Sequence, residues 1–406
     1  MGKIKYLGFI VIAMLAFCRP GAAQDLAMNS PPGAGHSASF DNESLLIKAL
    51  DEVRRNKINA ALSDLEYLVN VNPKFRLAQL VYADLLLSRS RPITDFGNLS
   101  SAPYQRIMAL RSEAIARWRH HLSTNYSNKI PASFVKLNKQ QDYAIIVDLK
   151  IPRLYLFKNV NGHPKLVKDF YVSIGKKGFG KLEEGDQKTP IGVYFASSYI
   201  NPAKLPDFYG DGAFPINYPN AWDRKNGYTG YGIWLHGTPS NTYSRPPRDS
   251  DGCIIVSNQD LKSLENYIKT GTTPVILAKD IDWISVDEWK KRQKKFSRFL
   301  DQWKKDWESR NTNLYLSHYS KDYSGMGKDY KNWVDYKRRV NSAKKYIEVD
   351  IRRTSMFEYP DGMNILVVTF EQDYKSDSVK RRFKKRQYWR MDKDGKWRIF
   401  YEGSVS

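Results

Sequence analysis

Apolar residues keep helical spacing in this chain as far as Leu122 and turn to strand-like runs from Asp142, and no single core can serve both patterns. Leu45, Leu46, Ala49, Leu50 and Val53 recur on one helical face, and Ala60, Leu62, Leu65, Leu68 and Val69 on a second. Asn72-Pro73 ends that run, Leu77 to Leu87 gives a third helix, and Gln105 to Leu122 a fourth. Residues 42–128 therefore read as a helical, tetratricopeptide-like segment. It is a candidate docking surface for a protein partner, with a plain helical bundle as the alternative.

Strand formers dominate next: Tyr143 to Asp148, Arg153 to Phe157, Lys168 to Gly175, Lys188 to Tyr194, Ile233 to His236, Cys253 to Val256 and Thr273 to Leu277, with one short helix at Leu261 to Tyr267. This predicts a mainly-β domain over 136–280, a sandwich or barrel. After Asp282 the pattern changes again. Trp289, Phe296, Leu300, Trp303 and Trp307 line one face of a helix over Val286 to Arg310, and β-rich runs follow at Ile347 to Phe357, Asn364 to Tyr374, Arg386 to Met391 and Lys396 to Tyr401. A long helix before a curved antiparallel sheet predicts a small α+β cone over 286–406. A chain of 406 residues exceeds what one core serves, which fits such a multidomain reading.

The first residues carry Lys3 and Lys5, an apolar run from Tyr6 to Phe17 and then Gly21-Ala22-Ala23. That is a signal peptide over 1–23, since the run is short for a membrane span; an uncleaved anchor is the alternative. Phe17 is too bulky for the position before a lipidated cysteine. Residues 24–41, rich in Pro, Gly, Ser and Asn, read as a flexible leader. Export implies the periplasm of a Gram-negative cell. The net charge of +22 asks for an anionic partner. Export argues against nucleic acid and for a cell wall rich in peptide carboxylates. The basic run Lys380, Arg381, Arg382, Lys384, Lys385 and Arg386 is a candidate for wall or peripheral membrane contact, or simply a solvated strand face.

The chain has two cysteines, and Cys18 falls in the signal peptide. The mature protein would enter an oxidising compartment with the single thiol of Cys253 and no intramolecular disulfide, which points to a nucleophile with a histidine base. Cys253 stands in Ser250-Asp251-Gly252-Cys253, downstream of Leu235-His236-Gly237-Thr238. His120, His121, His163 and His318 lack metal-ligand spacing, so neither a metal nor any other cofactor is expected.

Lys188-Thr189-Pro190-Ile191-Gly192, Leu235-His236-Gly237-Thr238 and Ser250-x-Gly252-Cys253, in that order, resemble the catalytic domain of the L,D-transpeptidase (YkuD-type) family over about Asp142 to Lys279. The order and size of the C-terminal elements resemble the nuclear transport factor 2-like (SnoaL-like) fold. Together they resemble the family's cell-shape L,D-carboxypeptidase subgroup. The resemblance implies Cys253 as nucleophile, His236 as base, the carbonyl of Gly237 holding the other ring nitrogen, and the N–H groups of Gly252 and Cys253 as an oxyanion hole. The implied substrate is the peptide stem of peptidoglycan, cut between L-diaminopimelate and D-alanine.

Two positions depart from the family pattern. Asp251 replaces the usual histidine before Gly-Cys, and Ile255 replaces an arginine that would fork a carboxylate. Arg245 and Arg248 are candidates to restore that contact. Tyr231 is a candidate cleft residue, Trp234 a packing residue, and Ser250 a hydroxyl that could orient the turn. Three readings stand: an L,D-transpeptidase joining stems to an amine or attaching proteins, an L,D-carboxypeptidase or hydrolase that trims stems or releases attached protein, and an inactive wall-binding scaffold.

Overall fold

The computed structural model describes residues 41–93, 95–97, 103–123, 126, 128–360 and 362–405. The expected signal peptide, and all of the expected leader but its last residue, lie outside the described residues. The contacts divide the chain into two units. Residues before 125 and the segment 238–247 make one, and residues 125–237 with 248–406 make the other.

The first unit holds α1 (Asn42–Arg54), α2 (Ile58–Val71), α3 (Arg76–Ser88) and α4 (Tyr104–Ser123). Asp41 starts α1 by accepting the Ser44 N–H at 2.8 Å, and α2 ends at Asn72, where the sequence places the stop. Leu46, Ala49, Leu65, Leu68, Leu77 and Ala78 are fully buried between the helices. Ala61 takes the inward position in α2, and Ala60 faces solvent. Leu62, Leu65 and Leu68 are buried on the expected face, which Ala61 completes in place of Ala60.

The second unit opens with β1 (Lys129–Pro131) and β2 (Phe134–Lys136), then β3 (Tyr143–Asp148), β4 (Arg153–Val160), β5 (His163–Tyr171) and β6 (Ile174–Gly175). It continues through β7 (Gly192–Phe195), β8 (Ala213–Pro215), α5 (Ala221–Lys225), β9 (Trp234–His236), β10 (Arg248–Ser250), β11 (Ile254–Ile255), α6 (Asn258–Glu265) and β12 (Pro274–Ala278). The main sheet has the order β5-β4-β3-β12-β7. Its centre is the parallel pair β3 and β12, and Ala144 to Asp148 are buried without alternation, as expected for a strand covered on both faces. A three-stranded sheet, β11-β9-β8, carries His236 at the end of β9, and its strand β11 begins directly after Cys253.

The C-terminal part comprises β13 (Trp283–Ser285), α7 (Val286–Glu308), α8 (Thr312–Ser317), β14 (Tyr319–Gly325), β15 (Lys328–Asp329), α9 (Tyr330–Ser342), β16 (Ile347–Glu358), β17 (Ile365–Ser376), β18 (Lys380–Met391) and β19 (Trp397–Ser404). Ser285 caps α7 through the Glu288 N–H, and the five apolar residues of its predicted face are all buried against the sheet.

The expected boundary at 136 cuts through a shared structure. The strand β2, which precedes the catalytic sheet in sequence, pairs with β16 and closes the cone's seven-stranded sheet, while β1 pairs with β13. The Trp289 indole donates to the carbonyl of Phe134 at 2.6 Å, and Phe134, Phe157, Trp289 and Phe357 belong to one buried cluster. The mainly-β domain and the cone are thus joined by a common core.

The cone buries charge. Lys385 meets Glu402 at 2.7 Å, and Gln387 donates to the other oxygen of that carboxylate at 2.7 Å. The ammonium of Lys337 stands 4.5 Å from the ring centres of Trp307 and Trp333 and 5.0 Å from that of Tyr315. Burial, reinforced by the nearby Lys385 charge and opposed by Glu402, pushes Lys337 down to about 7. The unfolded chain then binds the proton that the folded chain releases between about pH 7 and the ordinary lysine value, so this group makes stability rise with pH across that window. Replacing Lys337 with methionine removes this dependence. In thermal melts from pH 7 to pH 10.5 the difference in Tm should move steadily in favour of the native chain, and a pH-independent difference would contradict the assignment.

Candidate active site

β9 and β11 run parallel, with Leu235 opposite Ile254 and His236 opposite Ile255. The Val256 N–H donates to the carbonyl of His236 at 3.0 Å. This register places Cys253 at the entrance of the strand that runs beside the histidine. His236 is buried, and its Nδ1 lies 2.8 Å from the carbonyl of Gly237. A carbonyl only accepts, so Nδ1 carries the proton and Nε2 is left as the basic nitrogen. A Cβ at Gly237 would stand 2.0 Å from Oδ1 of Asn258, so a larger residue there would displace that side chain.

The turn before the thiol is held from several sides. Gly252 has φ +125°, and a Cβ would meet the carbonyl of Lys188 at 2.8 Å. The Thr189 hydroxyl donates to the Gly252 carbonyl at 3.0 Å and accepts the Gly175 N–H at 3.0 Å. The Lys188-Thr189-Pro190 motif thereby supports the turn that leads into Cys253. Ser250 is buried. Its hydroxyl donates to the Cys253 carbonyl at 2.7 Å and accepts the Gly252 N–H at 3.1 Å. Ser250 therefore orients the turn, and the Gly252 N–H, one of the two expected oxyanion donors, is already engaged by it. Cys253 is in no disulfide among the described residues, and its thiol reaches the carbonyl of Gly232 at 3.4 Å.

Asp251 is held at 3.1 Å by Lys176 and at 3.0 Å by the amide of Gln187. A like charge near a thiolate at a wet surface costs on the order of 1 kcal/mol, and the lysine offsets a comparable amount. The replacement of histidine by aspartate is thus compatible with a nucleophile. Tyr231 is 77 % exposed, and Trp234 is partly buried against Tyr209. Arg248 is exposed on β10, opposite Ile174 of β6. Arg245 falls in the segment 238–247 of the helical unit and is not grouped with Arg248.

Sequence reading missed Tyr209. Its ring packs edge-on against His236 at 5.1 Å and against Trp234 at 4.8 Å, and its carbonyl accepts the Gly237 N–H at 3.1 Å. Burial, with Cys253 and Asp251 nearby, raises the phenol above its ordinary value. The neighbouring Phe208 is half exposed and also faces the imidazole. Both lie in a single 3-10 turn, Asp207–Tyr209, too short for any periodicity to reveal them.

The expected basic strip on β18 is not uniform. Lys380, Arg381, Arg382 and Lys384 are exposed, Lys385 is buried on Glu402, and Arg386 lies over the ring of Phe195 at 4.2 Å. Tyr388 and Trp389 are core residues, and Trp397 packs on Phe296 and Phe299. A cavity of about 400 Å³ does open in the cone, lined by Trp307, Trp333, Lys337, Asn341, Gln372 and Lys385 among others. Within it the indole nitrogens of Trp307 and Trp333, the Asn341 amide and the Gln372 carbonyl find no protein partner. Among the described residues no three His, Cys, Asp or Glu side chains gather as a cation site, and no helix is long and apolar enough to cross a membrane.

A profile of the L,D-transpeptidase catalytic domain (YkuD) matches residues 142–277, and one of the Cds6 C-terminal NTF2-like domain matches residues 295–403. A putative L,D-transpeptidase, YafK of Escherichia coli, is 30 % identical over 154 residues, which are 33 % of this chain. The match spans 57 % of that curated relative's length. Among solved structures, Bd1075 of Bdellovibrio bacteriovorus is similar with a TM-score of 0.61 and 30 % identity, over 68 % of this chain and 98 % of the other. Pgp2 of Campylobacter jejuni, described as a helical cell shape determining protein, shares the fold with a TM-score of 0.57 and 23 % identity, over 67 % of this chain and 95 % of its own. The chain belongs to the L,D-transpeptidase (YkuD) family, in the form that carries a C-terminal NTF2-like domain.

Proposed function

We propose that this protein is a periplasmic peptidoglycan-modifying cysteine L,D-transpeptidase that acts on the L-diaminopimelate–D-alanine bond of tetrapeptide stems. The observation that supports this reading is the pairing of β9 with β11, which sets a histidine with a defined tautomer beside a strand entered through Cys253. His236 Nε2 takes the thiol proton, and Sγ of Cys253 attacks the carbonyl carbon of the diaminopimelate L-centre. The Cys253 N–H, at the turn locked by Ser250, serves as an oxyanion donor. Collapse breaks the C–N bond. The D-alanine amine leaves with the proton from His236, and a thioester remains on Cys253. An acceptor then attacks the thioester while His236 takes its proton, and the thiol is restored.

A second reading has water as that acceptor, making the protein an L,D-carboxypeptidase or a hydrolase that releases attached protein. Ile255 favours it. That side chain is buried where the family pattern has a carboxylate-binding arginine, so an incoming stem loses a fixed anchor. The peptide stem is the partner in either case. The basic cone, with its unpartnered donors around Lys337, supports contact with the wall.

Muropeptide mass spectrometry after incubation with tetrapeptide-rich sacculi decides between these readings. New 3-3 dimers, or stems joined to an added amine, identify the transpeptidase. Tripeptides alone identify the hydrolase. Unchanged muropeptides beside active controls leave release of attached protein or the wall-binding scaffold. Cys253→Ala should lower turnover by about a thousandfold or more while sacculus binding persists in a pull-down. Residual trimming at the native rate would remove Cys253 from the mechanism. Tyr209→Ala should lower kcat by about tenfold by loosening the imidazole, whereas Tyr209→Phe, which keeps the ring, should stay near native. Equal loss in both variants would instead assign the work to the hydroxyl.

A further inference from the structure

Parallel strands cannot be joined by a tight turn, so β9 and β11 need a crossover between them. In this chain the crossover begins immediately after Gly237, the residue whose carbonyl fixes the His236 tautomer, and returns at β10, just before Cys253. Its first ten residues, 238–247, contain no helix or strand. A stretch of that kind has little to hold it in one conformation.

Its anchoring comes from the helical unit, to which the contacts assign it. The Tyr243 ring packs on Phe75 with 4.4 Å between ring centres and joins the partly buried rim of the helical core. The Tyr243 N–H donates to the carbonyl of Lys74 at 3.3 Å, at the turn before α3. The Ser244 hydroxyl donates to Glu113 of α4 at 2.7 Å. Glu113 is itself buried, and Arg117 binds it through both Nε and Nη2, at 3.0 and 2.8 Å. Arg117 also reaches Glu43 at 2.8 Å and lies 5.4 Å from the ring centre of Phe75. An aromatic residue and a hydroxyl of the crossover are thus received by a buried ionic cluster spanning three stretches of the helical unit. Within the crossover, Thr238 donates to the carbonyl of Thr242 at 2.7 Å, which tightens the part nearest Gly237, and Pro246-Pro247 stiffens the return.

We propose that the helical unit is a built-in clasp for the catalytic crossover: Phe75, Glu113 and Arg117 grip Tyr243 and Ser244, and through the chain continuous with them set the positions of His236 and Cys253. Tyr243, Ser244 and Glu113 are positioning residues. The helical segment accordingly acts within the enzyme, and Arg245, the residue after Ser244, is presented by it. A clasp of this kind requires the helical unit for full turnover and makes any partner that spreads α3 from α4 a regulator of the site.

The proposal rests on the acyl-transfer reading, so two readouts keep their failures apart. One is release of D-alanine from a soluble tetrapeptide. The other is the pH profile of Cys253 alkylation by iodoacetamide in the full chain carrying Cys18→Ser, with His236→Ala as the reference for a thiol without its base. Tyr243→Ala should lower kcat about tenfold or more with KM within about twofold, and move the alkylation profile toward the His236→Ala reference. Tyr243→Phe, which keeps the ring on Phe75, should restore both. Ser244→Ala should shift both readouts in the same direction by a smaller factor. Native kcat and a native profile in Tyr243→Ala and Ser244→Ala would overturn the clasp. If Tyr243→Ala lacks a cooperative melt, Ser244→Ala and Glu113→Gln decide by the same measures. If the native chain releases no D-alanine the acyl-transfer reading fails, and the alkylation profiles alone still decide whether the helices position the thiol.

Discussion

The parallel pairing of β9 with β11 is the constraint on which the rest depends. It consists of two residue pairs and one further bond from Val256 to His236. A pairing so short has little stability of its own and survives because its flanks are fixed elsewhere. Leu235 and Ile254 point into a core shared with the main sheet and α6. On one side Thr189, Ser250 and Gly175 lock the turn before Cys253. On the other, Gly237 is wedged against Asn258 and bonded to Tyr209. Each of these contacts bears on the geometry between His236 and Cys253, and in the proposed acyl transfer displacements of an ångström between them matter.

Much of this was legible in the sequence because it depends on periodicity and on local chemistry. The α1–α4 and α7 helices follow their apolar spacing, and the fully buried β3 reads as an unbroken apolar run. Cys253, His236 and Gly237 stood out through their motifs. What escaped depends on contacts distant in sequence. The helix α9 presents Lys337 and Asn341 inward beside Trp333, so its buried face carries polar residues and its pattern is masked. Tyr209 ends a three-residue 3-10 turn, Asp207–Tyr209, too short to show a period. Gly252 looked like half of an oxyanion hole because glycine permits close approach, yet its N–H is taken by a serine two residues earlier.

The pairing of β2 with the cone was hidden for a related reason. Composition shifts mark where periodicity changes, and β2 is too short to have any. Its partner β16 lies far along the chain, so the pairing is invisible until both are folded. The consequence is physical. Phe134, Trp289 and Phe357 share one core with strands of the main sheet, so the cone is bound to the catalytic part along a buried seam. Cutting the chain after Asp282 would strip β2 and β1 of their partners and expose that seam. The contribution of the cone is better tested by single substitutions within its cavity than by truncation.

The two kinds of buried charge in the chain explain why such substitutions should be informative. Arg117 is matched by Glu43 and Glu113 at hydrogen-bond distance, so its charge is compensated within the helical unit. Lys337 has no carboxylate of its own. Glu402 is committed to Lys385 and Gln387, and aromatic faces are what surround the ammonium. Cation–π contact offsets part of the desolvation cost but not all of it, which is why the group sheds its proton so readily. An uncompensated ammonium beside indole and amide groups that lack partners is stable only where something else repays the cost. The compensated cluster holds the helical unit and the crossover segment together, whereas the uncompensated ammonium stands beside a cavity whose buried polar atoms lack protein partners.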